Sequence, residues 1–312
     1  MRPTLPETIK NEEHLEALLS EPTSAVVEWA SKLDGDILVL GAGGKMGPTL
    51  SKMAQKAIHQ AGGSNQVIAV SRFSNPKARE DLQNNGVKTI LCDIMDRASL
   101  ESLPKTPYVM YMVGQKFQTT SQAEKTWALN VFLPGLVAEH FHESHIAAFS
   151  TGNVYPLVPV ETGGSKETDE LGPVGEYAQS CLGRERMFQY VSGMHGTRVT
   201  IIRLNYAVEM RYGVLLDIAQ KVYNETPIDV SMGYFNVIWQ GDANAYALLA
   251  FQLCQSPPQI LNTTGPDILS IRSIAEKFGE RFNKTPIFTG SEAETALLNN
   301  AEKSFNLFGQ PT

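Results

Sequence analysis

Asp36-Ile37-Leu38-Val39-Leu40-Gly41-Ala42-Gly43-Gly44-Lys45-Met46-Gly47 is the stretch that decides how this chain is read. A short apolar run, 37–40, opens into four glycines within seven positions, and residues 48–57 then carry apolar side chains at helical spacing. Strand, glycine turn and helix, in that order, are what a dinucleotide-binding loop requires. Gly41 suits the tight turn out of the strand. Gly43 or Gly44 lets backbone approach a pyrophosphate, and Gly47 lets the helix pack close. The helix N-terminus then offers free N–H groups and a positive dipole to the phosphates.

Outward from the loop, apolar runs at 67–70, 89–92, 108–113, 146–149 and 199–204 alternate with amphipathic segments. Continuous apolar runs between helices imply a parallel sheet covered on both faces, a doubly wound α/β domain whose ligand sits at the carboxyl ends of the strands. Residues 1–34 read as a helical N-terminal extension broken by Pro22, 35–205 as the NAD(P)-binding Rossmann domain, and 206–312 as a smaller, partly interleaved substrate lobe. In that lobe, strand-like pieces at 227–230, 235–239, 259–262 and 286–289 mix with helices at 242–254 and 271–282. Residues 159–173 read as a surface loop.

The 312 residues, 42% hydrophobic and 19% charged, have the balance of an ordinary globular protein. A net charge of −7 without a basic run argues against a nucleic-acid partner. No apolar stretch is long enough to span a bilayer. Cys92, Cys181 and Cys254 are scattered and odd in number, which points to a reducing, cytoplasmic setting. His140, His142 and His145 read as the solvated end of a helix, where histidine favours the dipole, so no metal site is expected.

The ends of the strands carry the candidate binding groups. Ala69-Val70-Ser71-Arg72 has no acid for a ribose hydroxyl and has Arg72 for a phosphate, which favours NADP over NAD. Asp93 and Ile94 follow the third run, suited to an adenine amino group and ring face, while Asp96 fits a helix cap better. Val113, Gly114 and Lys116 end the fourth. Thr151 and Asn153 follow the fifth, and Tyr177 opens a helix. A strand-end hydroxyl and a facing tyrosine suit proton transfer at a carbonyl or alcohol oxygen, with the cofactor carrying the hydride.

These motifs together resemble the extended short-chain dehydrogenase/reductase superfamily, in its NAD-dependent epimerase/dehydratase group. Gly41, Gly44 and Gly47 fit its G-x-x-G-x-x-G spacing. Asp93-Ile94, Gly114 with Lys116, Asn130, Ser150-Thr151-x-x-Val154-Tyr155, Tyr177 and Arg203-Leu204-Asn205 extend the likeness over most of the chain. The resemblance implies Thr151 and Tyr177 as catalytic residues. Gly41, Gly43, Gly44, Lys45, Met46, Gly47, Ser71, Arg72, Asp93, Ile94, Val113, Gly114, Lys116, Asn130 and Cys181 would hold the cofactor, and Asn153 and Asn205 the substrate. It implies a sugar-like small-molecule substrate and a homodimer through helices flanking the sheet.

One position departs from the pattern. The family's Tyr-x-x-x-Lys becomes Tyr177-x-x-x-Cys181, so the charge that lowers the tyrosine pKa is absent. Arg184, on the same helical face, and Lys116 are the two candidates to replace it. The dehydratase Asp-Glu pair after Thr151 is Gly152-Asn153 here, which argues against water elimination. The expected activity is hydride transfer by an NAD(P)-dependent oxidoreductase or epimerase. The alternative is a catalytically impaired relative that binds the cofactor as a sensor or scaffold.

Overall fold

The computed structural model describes residues 5–312; residues 1–4 of the expected N-terminal extension lie outside the described residues. Seven parallel strands form the central sheet: β1 (Ile37–Leu40), β2 (Val67–Ser71), β3 (Lys88–Leu91), β4 (Tyr108–Tyr111), β5 (His145–Thr151), β6 (Val199–Leu204) and β7 (Gln259–Thr263). Their order across the sheet is β7-β6-β5-β4-β1-β2-β3. The chain reverses direction of travel between β2 and β4, on either side of β1, and a crevice opens at the strand ends where that happens. All four residues of β1 are buried, as a strand covered on both faces must be.

Twelve α-helices lie among the described residues, beside four short two-stranded pairings: α1 (Glu12–Leu19), α2 (Ser24–Ala30), α3 (Gly47–Gln60), α4 (Pro76–Asn84), α5 (Arg97–Glu101), α6 (Ala123–Trp127), α7 (Leu133–His140), α8 (Gly175–His195), α9 (Val214–Tyr223), α10 (Gln240–Leu249), α11 (Ile271–Phe282) and α12 (Glu302–Phe308). On one face of the sheet, Leu50 and Met53 of α3, Trp29 of α2 and Leu248 of α10 share a core with Val39 and Ala69. On the other, Leu133 and Val137 of α7 and Phe188 and Val191 of α8 pack on Leu38 and Val109. A separate small core, built on Ile218, Val222, Phe235 and Ala275, holds α9 and α11 together in the second lobe.

The N-terminal extension is capped and tied down. Asn11 accepts from the His14 N–H at the start of α1, and Thr23 caps α2 by accepting from Val26. Trp29 stacks on Phe251 with ring centroids 5.7 Å apart. The buried Lys52 of α3 joins Glu16 of α1 at 2.6 Å and Asp81 of α4 at 2.7 Å, and Glu16 also meets Arg211 at 2.7 Å. Burial raises the Glu16 carboxyl, but Lys52 and then Arg211 outweigh it and hold the group below its ordinary 4.5. A carboxyl depressed in the folded state stabilises above its unfolded pKa and loses that contribution as pH falls through the folded one. Thermal stability is therefore expected to fall below about pH 4.5, with a flatter acid limb in Lys52→Met; identical acid limbs would refute the tie.

The second half of the chain departs from the sequence reading at one point. Residues 259–262, expected as a strand of the second lobe, belong to β7, the edge of the main sheet, paired along β6 from Gln259↔Thr200 to Thr263↔Leu204. Periodicity marks a strand but not its partner, and only the crossover through α10 brings this one home. Within the expected loop at 159–173, Val158–Pro159 pairs antiparallel with Thr295–Ala296, which fastens the C-terminal segment beside β5.

Candidate active site

The glycine loop turns where the sequence requires it. Gly41 has φ +88°, and a Cβ there would press on Val113 Cγ2 at 2.9 Å, so the residue leaving β1 must lack a side chain. A Cβ on Gly47 would run into the Ala42 backbone, which sets how closely α3 approaches the loop. Met46 caps α3 without a side-chain hydrogen bond, leaving the first N–H groups of the helix uncapped by side chains. The Met46 side chain packs toward Leu204 and Tyr246, while Lys45 reaches outward with Nζ 4.2 Å from the Tyr212 ring centroid.

A cavity of about 260 Å³ lies beside this loop, bounded by Gly43, Gly44, Ser71, Asp93, Ile94, Val113 and Gly114 among others. Its size is below the roughly 300–1,000 Å³ of sites that enclose a whole drug-sized ligand, and suits a nucleoside end. Arg72 stands exposed at the rim, 3.9 Å from the Asp93 carboxylate. Asp93 accepts from the Met95 N–H, whereas Asp96 caps α5 by accepting from Ser99. Capping is thus discharged by Asp96 and the second oxygen of Asp93 stays at the cavity edge.

At the other end of the crevice, Thr151 closes β5, and its hydroxyl donates to Asn153 Oδ1 at 2.9 Å while accepting from the Asn153 N–H. The half-buried Tyr177, in the first turn of α8, turns its hydroxyl toward Thr151 and Cys181. Burial, and then the neighbouring Cys181, push this phenol well above the usual tyrosine range, while Arg184 and Thr151 pull it back. Cys181 is itself raised by burial and eased by Arg184.

Three expected site residues are placed differently from the sequence reading. Asn130, in a π-helical turn at Ala128–Phe132, and Cys181 are both fully buried, so neither offers an atom to the crevice. Asn130 instead accepts from the Gln115 N–H and from Arg184, and donates to Gln115 O and Ser180 Oγ, so all its hydrogen-bonding capacity is spent on the scaffold. Asn205 is buried too and donates to Asn236, which donates in turn to the Asn299 carbonyl. Register at a strand end shows which residues come near the crevice, not which ones a later segment covers.

The structure also explains Gly152. A Cβ there would collide with the Asn299 carboxamide, so the place where a dehydratase carries its acid is filled by the C-terminal segment. One residue of a group behind this site, Glu185, escaped the sequence reading. Behind Thr151, Ser150 donates to Glu185 Oε1 at 2.5 Å, and Arg203 pairs with Glu185 at 2.7 Å and donates to Tyr155, which donates to Asn262. The available signal was a charged Glu185 on the helical stripe that carries Cys181 and Phe188 toward the core.

The sequence model of the NAD dependent epimerase/dehydratase family matches residues 37–208, more than half of the chain, and the chain belongs to that family. No curated protein matches it significantly. Among solved structures, Pal from Bacillus thuringiensis superposes with a TM-score of 0.73 at 18% identity, over 89% of this chain and 94% of that one. The UDP-glucose 4-epimerase of Thermotoga maritima, solved with UDP-glucose, gives 0.71 at 16% identity over 89% and 94%. That of Thermus thermophilus, in complex with NAD, gives 0.72 at 17% identity over the same shares. At these identities the likeness is one of fold. Among the described residues no helix is long and apolar enough to cross a membrane.

Proposed function

We propose that this chain binds a nicotinamide dinucleotide along the crevice and uses Thr151 and Tyr177 to move a proton at a hydroxyl or carbonyl of a sugar-like substrate, as an epimerase or oxidoreductase. The observation that carries the reading is the meeting of Thr151 and Tyr177 at the strand ends, next to a glycine loop with bare backbone and an uncapped helix N-terminus. The residues present fit such a cofactor. Gly43 and Gly44 leave the pyrophosphate path clear, Asp93 and Ile94 suit the adenine, Ser71 and Arg72 the adenosine ribose, and Lys45, Lys116 and Gly114 the far end. Arg72, with no acid beside it on β2, supports NADP over NAD. When bound, the dinucleotide supplies the hydride acceptor and donor.

Thr151 then holds the reacting oxygen, steadied by Asn153, and Tyr177 gives or takes the proton. With its pKa raised, Tyr177 is protonated at neutral pH and is suited first to donate to a carbonyl. UDP-glucose on one structural neighbour supports a sugar nucleotide as the substrate class to try first. The second reading, a dinucleotide sensor or scaffold, draws on Cys181, which brings no charge and raises Tyr177 further.

Titrating NADH and NADPH by protein fluorescence, then offering nucleotide sugars and sugar acids while following epimers by chromatography and nicotinamide absorbance, separates the two. Saturable binding with turnover is expected, NADPH binding more tightly in the parent and losing its advantage in Arg72→Ala. Binding without turnover on any substrate class favours the sensor; no binding of either dinucleotide defeats both readings.

A further inference from the structure

Two guanidiniums are sunk beneath the reacting end of the crevice, and Arg184, unlike Arg203, has no salt bridge to a carboxylate among the described residues. It sits on α8 at helical spacing from Tyr177 and Cys181, so the three share a face. Helical side chains lean back toward the N-terminus, which carries its head group up toward the layer of Cys181. There Nη1 donates to the Phe149 carbonyl and Nη2 to Asn130 Oδ1, each at 2.9 Å. The guanidinium also lies 5.8 Å from the Tyr111 ring centroid. A Cβ on Gly114 would collide with Nη2, and Gly114 bounds the cavity, so the charge lies directly under the floor of the crevice.

Among the described residues this cation makes no salt bridge to a carboxylate. The neighbouring Glu185 is committed to Arg203, and Arg184 Nε has no hydrogen-bond partner among the described residues. A buried charge held only by neutral acceptors, with its nearest carboxylate paired elsewhere, has a weakly screened field. The rival candidate, Lys116, lies on the loop after β4, where burial and then Lys45 disfavour its charge and Asp217 offsets part of it. The charged and titratable groups facing this end are Tyr177, Cys181, Arg184 and Glu185 from α8, Tyr111 from β4, Asp217 from α9, and Lys116 and Lys45 from the loops.

We infer that Arg184 carries the positive charge of the reacting end, in place of a lysine at 181, and that it acts through Tyr177 and the nicotinamide ring without touching substrate. This rests on the dinucleotide reading above and makes Arg184 a positioning residue. A cation beneath the floor of the crevice would disfavour an oxidised, positively charged nicotinamide bound there relative to the reduced one. The ratio of the dissociation constants for NADP⁺ and NADPH (or NAD⁺ and NADH) reads that field directly, and packing alone does not move it.

Arg184→Met keeps bulk and removes charge, and lowers the ratio by roughly tenfold, the scale of one partly screened charge at this range. Arg184→Lys holds the ratio near the parent value. Cys181→Lys combined with Arg184→Met exchanges one cation for another in the same layer and also holds it. If Arg184→Met does not fold, Arg184→Gln, which keeps amide donors for the Phe149 carbonyl and Asn130 and still removes the charge, gives the same readout. An unchanged ratio in a folded Arg184→Met overturns this inference alone, whereas a parent protein that binds neither dinucleotide overturns the function and this inference together.

Discussion

Tyr177→Phe is expected to cut turnover by about 10²–10⁴-fold, the usual contribution of a positioned acid or base. Dinucleotide affinity and thermal stability should stay near the parent values. The substitution removes one oxygen at a half-buried position and keeps the ring that lies against Val154, Tyr155 and Cys181. Only the hydroxyl facing Thr151 is lost, and with it the proposed route for the proton. Steady-state kinetics on a substrate found by the screen, with dinucleotide titration in parallel, measure both halves. Full turnover in Tyr177→Phe would remove Tyr177 from the mechanism, whatever the cofactor does.

The largest stability effect is expected from the buried ion pair behind Thr151. Glu185 is 0% and Arg203 3% exposed in their side chains, and the pair is linked onward to Ser150 and Tyr155. Removing one partner strands the other charge in the core, so Arg203→Met is predicted to cost about 3–5 kcal/mol of unfolding free energy. Arg203→Met combined with Glu185→Leu removes both charges and should recover most of that loss, because an apolar replacement of a whole pair is often close to neutral. Urea unfolding of the two variants against the parent is the measurement. A cost below about 1 kcal/mol for Arg203→Met, the level of an exposed pair, would show that the site is wetter than its geometry implies. Since Ser150 precedes Thr151 on β5, a destabilised pair should also loosen the Thr151 hydroxyl.

Much of the architecture was legible in the chain because it rests on local patterns. The run 37–40, the glycines at 41, 43, 44 and 47 and the helix after them form one contiguous unit, and its strand, turn and helix follow from period, φ and close packing alone. The first six strands of the sheet likewise announce themselves as apolar runs between helices. The seventh, Gln259–Thr263, has the same appearance as the short strands of the second lobe, and its place beside β6 depends on contacts that span some sixty residues of sequence. Candidate site residues divide in the same way. Thr151 and Tyr177 are recognisable from residue type and from where they fall relative to a strand end and a helix start. Asn130 and Asn205 have the right types too, yet both are buried with their amide groups bonded to neighbouring residues.

Sequence by itself determined the class of this protein: a doubly wound sheet with a glycine-loop crevice, and a tyrosine whose partner lysine is a cysteine at 181. The tertiary structure decided what surrounds that tyrosine. It brought the Arg184 guanidinium beneath Gly114, set Asn299 against Gly152 where another side chain would project, and paired Glu185 with Arg203 behind Thr151. The physical reason is range. A turn or a helix is set by neighbours a few residues apart, whereas the field at a hydroxyl is set by every charge and every excluded water around it, and those arrive from all parts of the chain.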